Sequence, residues 1–236
     1  MVETSTRLTS SRKSRGDRGD QTRERLLKAS IDVFGRFGFD GSTTRMLADT
    51  AGVNLQAIPY HFGGKEGLYI ASAEYIGEAI SSHVSHARDE VRGRLAELEA
   101  SGQRLTREEA RSHLALIAQT MIALFVSKQS EPWARFLIRE QMEPTEAFSR
   151  VYGGVMKPML ELVAKLIGAM LKEDPLSAHV RLRTLSFVGS ILIYRMAHAA
   201  ALAHLGWNNV GPTEVRTLQD VAKELVDSIR PQEQAT

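Results

Sequence analysis

Between Asn54 and Phe62 the chain reads NLQAIPYHF, a short polar and aromatic run in which several side chains can meet nucleic-acid bases. Gln56 can present paired hydrogen bonds to adenine, and Leu55 can touch a thymine methyl. Tyr60 and His61 can reach phosphates or base edges. Asn54 and Pro59 complete the outward set. Upstream, Thr43, Thr44 and Arg45 open one expected helix, and downstream Lys65 opens another. Helix N-termini offer free N–H groups and a positive dipole end, which suits phosphate. Such contacts position a protein on a duplex without reading its sequence. The chemistry implied is recognition of double-stranded DNA, not bond making.

Other chemistries find little support. The 236 residues include no cysteine, which removes disulfides, thiolate metal sites and thiol nucleophiles together. No nucleophile elbow, phosphate loop or HExxH occurs, so no catalytic residue and no cofactor is expected. His83 and His86, with Asp89 and Glu90 a turn further, have spacing that could hold a metal. Exposed polar spacing explains them equally, and no metal site is expected. No run of eighteen apolar residues is present, so no membrane partner is expected and a cytoplasmic location is. The net charge of +2 is uneven. Residues 1–66 carry 11 Lys or Arg against 8 Asp or Glu, and the rest 19 against 20. The basic excess thus lies with the base-reading run.

The elements that must position these groups read as helices throughout, an all-α fold. Residues 1–20 lack apolar periodicity and are expected to be a disordered basic arm. Its Arg7, Arg12, Lys13, Arg15 and Arg18 either reach along DNA or form an ordinary solvated tail. A helix from about Gln21 to Phe37 carries a stripe of Leu27, Ile31, Phe34 and Phe37. Ser42 or Thr43 caps a second helix, with Leu47, Ala48 and Ala51 inward. Gly52 supplies a sharp turn, and Asn54 caps a third helix with Val53, Ile58 and Phe62 inward. Pro59 within that helix is expected to delete one backbone hydrogen bond. Helices are then expected from Lys65 to at least Leu98, about 106–128, after Pro132, and over about 144–171, 175–205 and 212–229. Thr106 and Glu109 stand at capping-box spacing. The boundaries expected are an arm at 1–20, a three-helix helix-turn-helix domain at 21–65, and a larger helical domain at 66–230 for effector binding and dimerisation.

The run TTRMLADTAGVNLQAIPYHFGGKEGLY resembles the N-terminal domain of TetR-type transcriptional regulators over about residues 21–70. The resemblance implies a homodimer whose C-terminal domain takes a small molecule and then binds its operator less well. Two positions depart from the pattern. Pro59 stands where a tyrosine or another non-proline is common, and Gly64 where a serine often caps the next helix. The run FLIREQMEPTEAFSRVYGGVMKPML, residues 136–160, resembles the CecR (YbiH-like) branch of that family.

Downstream helices carry broad apolar stripes, such as Leu114, Ile117, Met121, Leu124 and Phe125, whose plain reading is bundle core. Against that background Trp133, Phe136, Arg139, Glu140, Tyr152, Met156, Tyr194 and His198 are the candidate lining of an effector site. Arg139 and Glu140 read alternatively as a structural ion pair. The last two long helices are expected to form the dimer, the first through small residues (Gly189, Ser190, Ala197, Ala200, Ala201) beside large apolar ones and the last through Leu218, Val221, Leu225 and Ile229. Two-fold symmetry then sets the recognition helices about 34 Å apart on an approximately palindromic operator. The reading is a ligand-responsive repressor. Its alternatives are a DNA-binding protein without small-molecule input, and an enzyme that retains a helix-turn-helix.

Overall fold

The computed structural model describes residues 6–231, with side chains from residue 19 onward. Eleven α-helices occur among the described residues, and no strand. They are α1 (Thr6–Phe37), α2 (Thr44–Ala51), α3 (Ala57–Phe62), α4 (Lys65–Ala100), α5 (Arg107–Phe125), α6 (Glu131–Met142), α7 (Glu146–Val151), α8 (Lys157–Leu171), α9 (Ala178–Met196), α10 (His198–Leu205) and α11 (Pro212–Asp227). A 3₁₀ turn at Lys128–Ser130 precedes α6, and a π-turn at Tyr152–Met156 separates α7 from α8.

Several boundaries differ from the sequence reading, each for a local reason. The backbone of α1 is helical from Thr6, not from Gln21. Its extra turns contain no proline, so a helix nucleated further on can propagate back through them. The basic side chains of the expected arm lie outside the described residues. Phe37 does not complete the buried stripe of α1. It is 50% exposed, and Leu26, Leu27, Ile31, Val33 and Phe34 form the buried face instead. The expected helix over 144–171 is two helices. Gly153 and Gly154, weak helix formers, sit in the π-turn between them. The expected helix over 175–205 bends by 83° at Ala197, whose backbone leaves the helical region (φ −111°, ψ 40°).

The chain forms two compact units. Unit 1 is Met1–Ile76 with Arg135–Arg150, and unit 2 is Gly77–Ala134 with Val151–Thr236. Their boundaries fall inside α4, α6 and α7.

In unit 1, α2 and α3 pack on α1 through Leu47, Ala48, Ala51 and Ile58, all buried. Beside them lies a group of four rings: Phe34, Phe39, Tyr69 and Phe136. Tyr69 is central, with centroids 4.8 Å from Phe34, 5.2 Å from Phe39 and 4.8 Å from Phe136. Unit 2 holds a larger aliphatic core. Leu114, Ile117 and Ile122 of α5 meet Leu162, Leu166, Ile167 and Met170 of α8, closed by Val180 and Phe187 of α9 and Leu218 and Val226 of α11. The capping box at the start of α5 forms as its spacing predicts, with Thr106 and Glu109 each accepting from the other's backbone N–H.

Candidate nucleic-acid interface

The helix-turn-helix of unit 1 is set by caps and by one arginine. Thr43, in extended conformation, caps α2 by accepting from the Met46 N–H at 3.1 Å. Gly52 ends α2 in the left-handed region at φ 61°. A side chain there would be strained, and its Cβ would lie 2.8 Å from the Arg25 guanidinium. Arg25 donates from Nη2 to the carbonyls of Ala51 (2.7 Å) and Gly52 (2.9 Å), tying α1 to the turn. Sequence reasoning missed this bond, because nothing in the spacing of residues 25 and 51 signals it.

The lead-in to α3 corrects two expectations. The helix begins at Ala57, not directly after Asn54. Asn54 nevertheless organises the approach: its Oδ1 accepts from the Gln56 N–H at 2.8 Å, and its carbonyl from the Ala57 N–H at 2.9 Å. Pro59 is consequently the third helical residue. The first four N–H groups of a helix have no intrahelical acceptor, so the missing N–H deletes no bond. The first helical bond runs from the Tyr60 N–H to the Gln56 carbonyl at 3.2 Å.

This arrangement turns one face of α3 and its lead-in to solvent. Asn54, Leu55, Gln56, Pro59 and Tyr60 are all exposed, Tyr60 at 83%, while Ile58 behind them is fully buried. An open depression of about 480 Å³ is lined by Gln56, Ala57, Pro59, Tyr60 and His61. His61 is half-buried and meets Tyr60 edge to face at 4.8 Å. Of the expected phosphate group, Arg45 is exposed and Thr44 half-buried at the start of α2. Thr43 is exposed, with its hydroxyl oxygen engaged as the cap. Lys65 opens α4 with its ammonium 4.3 Å from the centre of the Phe39 ring. All ten nominated residues therefore lie in unit 1, on α2, on α3 with its lead-in, and at the head of α4.

The eight nominated effector residues divide between the units. Phe136, Arg139 and Glu140 belong to unit 1, and Trp133, Tyr152, Met156, Tyr194 and His198 to unit 2. Arg139 and Glu140 have partners inside unit 1, and these are not each other. Arg139 donates from Nε to the Gly35 carbonyl at 3.0 Å and from Nη2 to the Arg36 carbonyl at 2.8 Å. Glu140, only 2% exposed, accepts from the Tyr69 hydroxyl at 2.5 Å, the Thr145 hydroxyl at 2.9 Å, and the N–H groups of Thr145 (3.2 Å) and Phe148 (2.8 Å). Burial, then the Glu140 carboxylate, push the Tyr69 hydroxyl well above the ordinary phenol range. In unit 2 Trp133 is buried, Met156, Tyr194 and His198 are half-buried, and Tyr152 is 40% exposed.

Comparison with known proteins bears on both ends of the chain. Residues 26–71 match the family model of bacterial regulatory proteins of the tetR family. Residues 110–230 match that of the HTH-type transcriptional dual regulator CecR, C-terminal domain. The HTH-type transcriptional dual regulator CecR of Shigella flexneri is 30% identical over 190 residues, 80% of this chain and 82% of that protein. Among solved structures, the fold is similar to the transcriptional regulator FadR from Bacillus subtilis in complex with stearoyl-CoA (TM-score 0.59, 17% identity, covering 87% of this chain and 97% of that one). It is also similar to AibR in complex with isovaleryl coenzyme A and operator DNA (TM-score 0.61, 12% identity, 86% and 97%). The two ends of the chain, matched separately, agree: this is a transcriptional regulator of the TetR family, with a C-terminal domain of the CecR type.

Proposed function

We propose that the protein is a homodimeric repressor that leaves a palindromic operator when a small molecule binds its C-terminal helices, and that it works in the cytoplasm. The observation that carries the DNA-binding part is the solvent-facing set on α3 and its lead-in, with Gln56 and Tyr60 exposed around a buried Ile58. Base reading is assigned to Leu55, Gln56, Pro59, Tyr60 and His61. Phosphate contact is assigned to Thr43, Thr44, Arg45 and Lys65, with Asn54 at the turn between them.

The dimer reading rests on α9. Val180, Thr184, Phe187, Ile191 and Arg195 face the core of unit 2, while Leu182, Leu185, Ile193 and Met196 form an exposed apolar stripe on the opposite side. Exposed Gly189 lies midway along that stripe, and Val221 of α11 is also exposed, whereas the expected dimer residues Leu218 and Ile229 are buried in the core of unit 2 and Leu225 is half-buried against it. Apolar side chains repeated along one helix face in this way call for a partner surface. The effector is assigned to unit 2, with Trp133, Tyr152, Met156, Tyr194 and His198 as lining. FadR and AibR were each solved with an acyl-CoA, which makes stearoyl-CoA and isovaleryl-CoA the first probes.

The test is to sequence the genomic fragments that the purified protein retains, then to repeat the retention with each acyl-CoA present. Recovery of one palindromic sequence supports the reading, and retention of no duplex at low salt rejects it. For an effector to release DNA it must bind the free protein more tightly than the operator complex. Equal affinity for the two would remove that probe from the mechanism. Two substitutions separate positioning from reading. Lys65→Ala weakens binding to every duplex and lowers the salt slope by about one. Gln56→Ala relaxes base preference at one operator position, and an unchanged preference would remove Gln56 from the reading set. A reporter fused to the operator decides between repression and the dual action in the name of the Shigella flexneri relative.

A further inference from the structure

We propose that Arg139 and Glu140 are positioning residues for operator binding, and that Arg135–Arg150 is a working part of the DNA-binding unit although it lies far along the chain from α3. This rests on the DNA-binding reading and reassigns two residues from the effector site.

At the C-terminus of α1 the last carbonyls of the helix need donors from outside it. The Phe34 carbonyl receives the Gly38 N–H at 2.8 Å, within the chain turn itself. The next two, Gly35 and Arg36, are both taken by Arg139. Gly38 fits this clamp twice over. Its φ is 74°, and a Cβ there would lie 3.1 Å from the Arg139 guanidinium. A cation at a helix C-terminus is also favoured by the dipole. Residues 38–43 run directly from this clamped end to Thr43, the cap of α2. The place where Arg139 grips is therefore the place from which the helix-turn-helix departs.

Three neighbours on α6 add to the grip. Arg135 donates to Asp32 at 3.2 Å, one helical turn earlier on α1. Phe136 packs against Tyr69 and Phe34 in the aromatic group. Glu140 takes the Tyr69 hydroxyl on α4, four residues after Lys65. Residues 135, 136, 139 and 140 share one face of α6, and that face binds the end of α1 and the head of α4. Glu140 also receives the N–H groups of Thr145 and Phe148 at the start of α7, which fixes the following turn to the same carboxylate. A buried carboxylate with four donors holds its surroundings to one arrangement, since losing any donor leaves it under-solvated.

The full-length protein tests this with Arg139→Ala, Arg139→Lys and Tyr69→Phe, the last keeping the ring and removing only the hydroxyl. The readouts are affinity for a duplex selected by the wild type, its salt dependence, and amide hydrogen exchange. Arg139→Ala and Tyr69→Phe each lower affinity by about three- to tenfold. The salt slope stays at the wild-type value, because no phosphate-gripping group is touched. Exchange rises in residues 38–62 and stays unchanged in 110–126 and 162–171. Arg139→Lys, with one carbonyl still within reach, recovers part of the affinity. Should Arg139→Ala not fold, Tyr69→Phe carries the test. Wild-type affinity in the folded variants, or exchange rising equally in both units, overturns the proposal. A wild type that selects no duplex removes the regulator reading, and this inference with it.

Discussion

Arg139 in unit 1 and Arg195 in unit 2 perform the same bond chemistry in opposite surroundings. Each guanidinium donates to two carbonyls at the C-terminal end of a helix. Arg139 takes Gly35 and Arg36 in the last turn of α1, and Arg195 takes Phe125, which ends α5, and Ser127 just beyond it, the latter at 2.7 Å. Arg139 is exposed, whereas Arg195 is 9% exposed and desolvation lowers its pKa from the ordinary guanidinium value. The difference follows what surrounds them. Unit 2 has an aliphatic core that spans five helices, and its arginine closes a helix end inside that core. Unit 1 has a small aromatic group, and its α2, α3 and α7 are short, so its polar clamps carry a larger share of the positioning. A regulator of this build keeps its mass of apolar packing where stability is needed, and directional bonds where geometry must be set.

The largest effect separates the two cores. Leu166, fully buried in α8 among Leu114, Ile167 and Met170, should cost about 3 kcal/mol when replaced by Ala. Urea unfolding of the whole protein reads the loss. Hydrogen exchange then locates it, with residues 110–126 and 162–171 affected first. A uniform rise across residues 20–76 as well would mean that the two units unfold as one, and the contrast would fail.

The second effect contrasts two replacements at Arg195. Arg195→Ala leaves the Phe125 and Ser127 carbonyls without their donor and opens a space, at a cost of about 2 kcal/mol. Arg195→Met leaves the same carbonyls without a donor and removes the same buried charge, but fills the space, so its cost is smaller, about 1 kcal/mol or less. Chemical unfolding of both variants makes the comparison. Equal losses would show that the charge itself, and not the shape, is what unit 2 uses there.

These contrasts also explain how much the sequence disclosed. Helix starts with chemical caps were legible: Thr43 before α2, Thr106 with Glu109 before α5, and Pro212 at the head of α11 each act over three or four residues. So was the outward face of α3, because Ile58 and its neighbours alternate within one turn. The π-helical segment at Tyr152–Met156 and the bend at Ala197 were not legible, since the apolar period runs on across both. Nor were the partners of Arg139 and Glu140. The clamp joins residues 104 apart, and the carboxylate contact residues 71 apart. An arginine beside a glutamate in an apolar helix reads as an ion pair until the fold turns each toward a different helix.

The smallest effect compares two carboxylates, Glu140 in unit 1, buried among hydroxyl and backbone donors, and Glu109 in unit 2, half-buried beside an arginine. Glu109 accepts from the Thr106 hydroxyl at 2.6 Å and the Thr106 N–H at 2.9 Å, and from Arg94 at 2.7 Å. The Thr106 bonds first, and Arg94 after them, hold its pKa down to about 2 from an ordinary 4.5. A depressed carboxylate stabilises the folded state above its unfolded pKa, and that contribution is lost as protons bind the folded form. The contribution is therefore whole above about pH 5 and fades between there and about pH 2. Glu109→Gln lacks it at every pH. The gap in unfolding midpoint between wild type and Glu109→Gln should narrow steadily on acidification. Because Arg94 and Glu109 are both partly open to solvent, added salt should shrink the Arg94 part of that gap at neutral pH, leaving the capping bonds to Thr106. A gap that widens in acid would mean that protonated Glu109 serves the helix end better than its anion. The capping box would then have to be read as weaker than its bond lengths suggest.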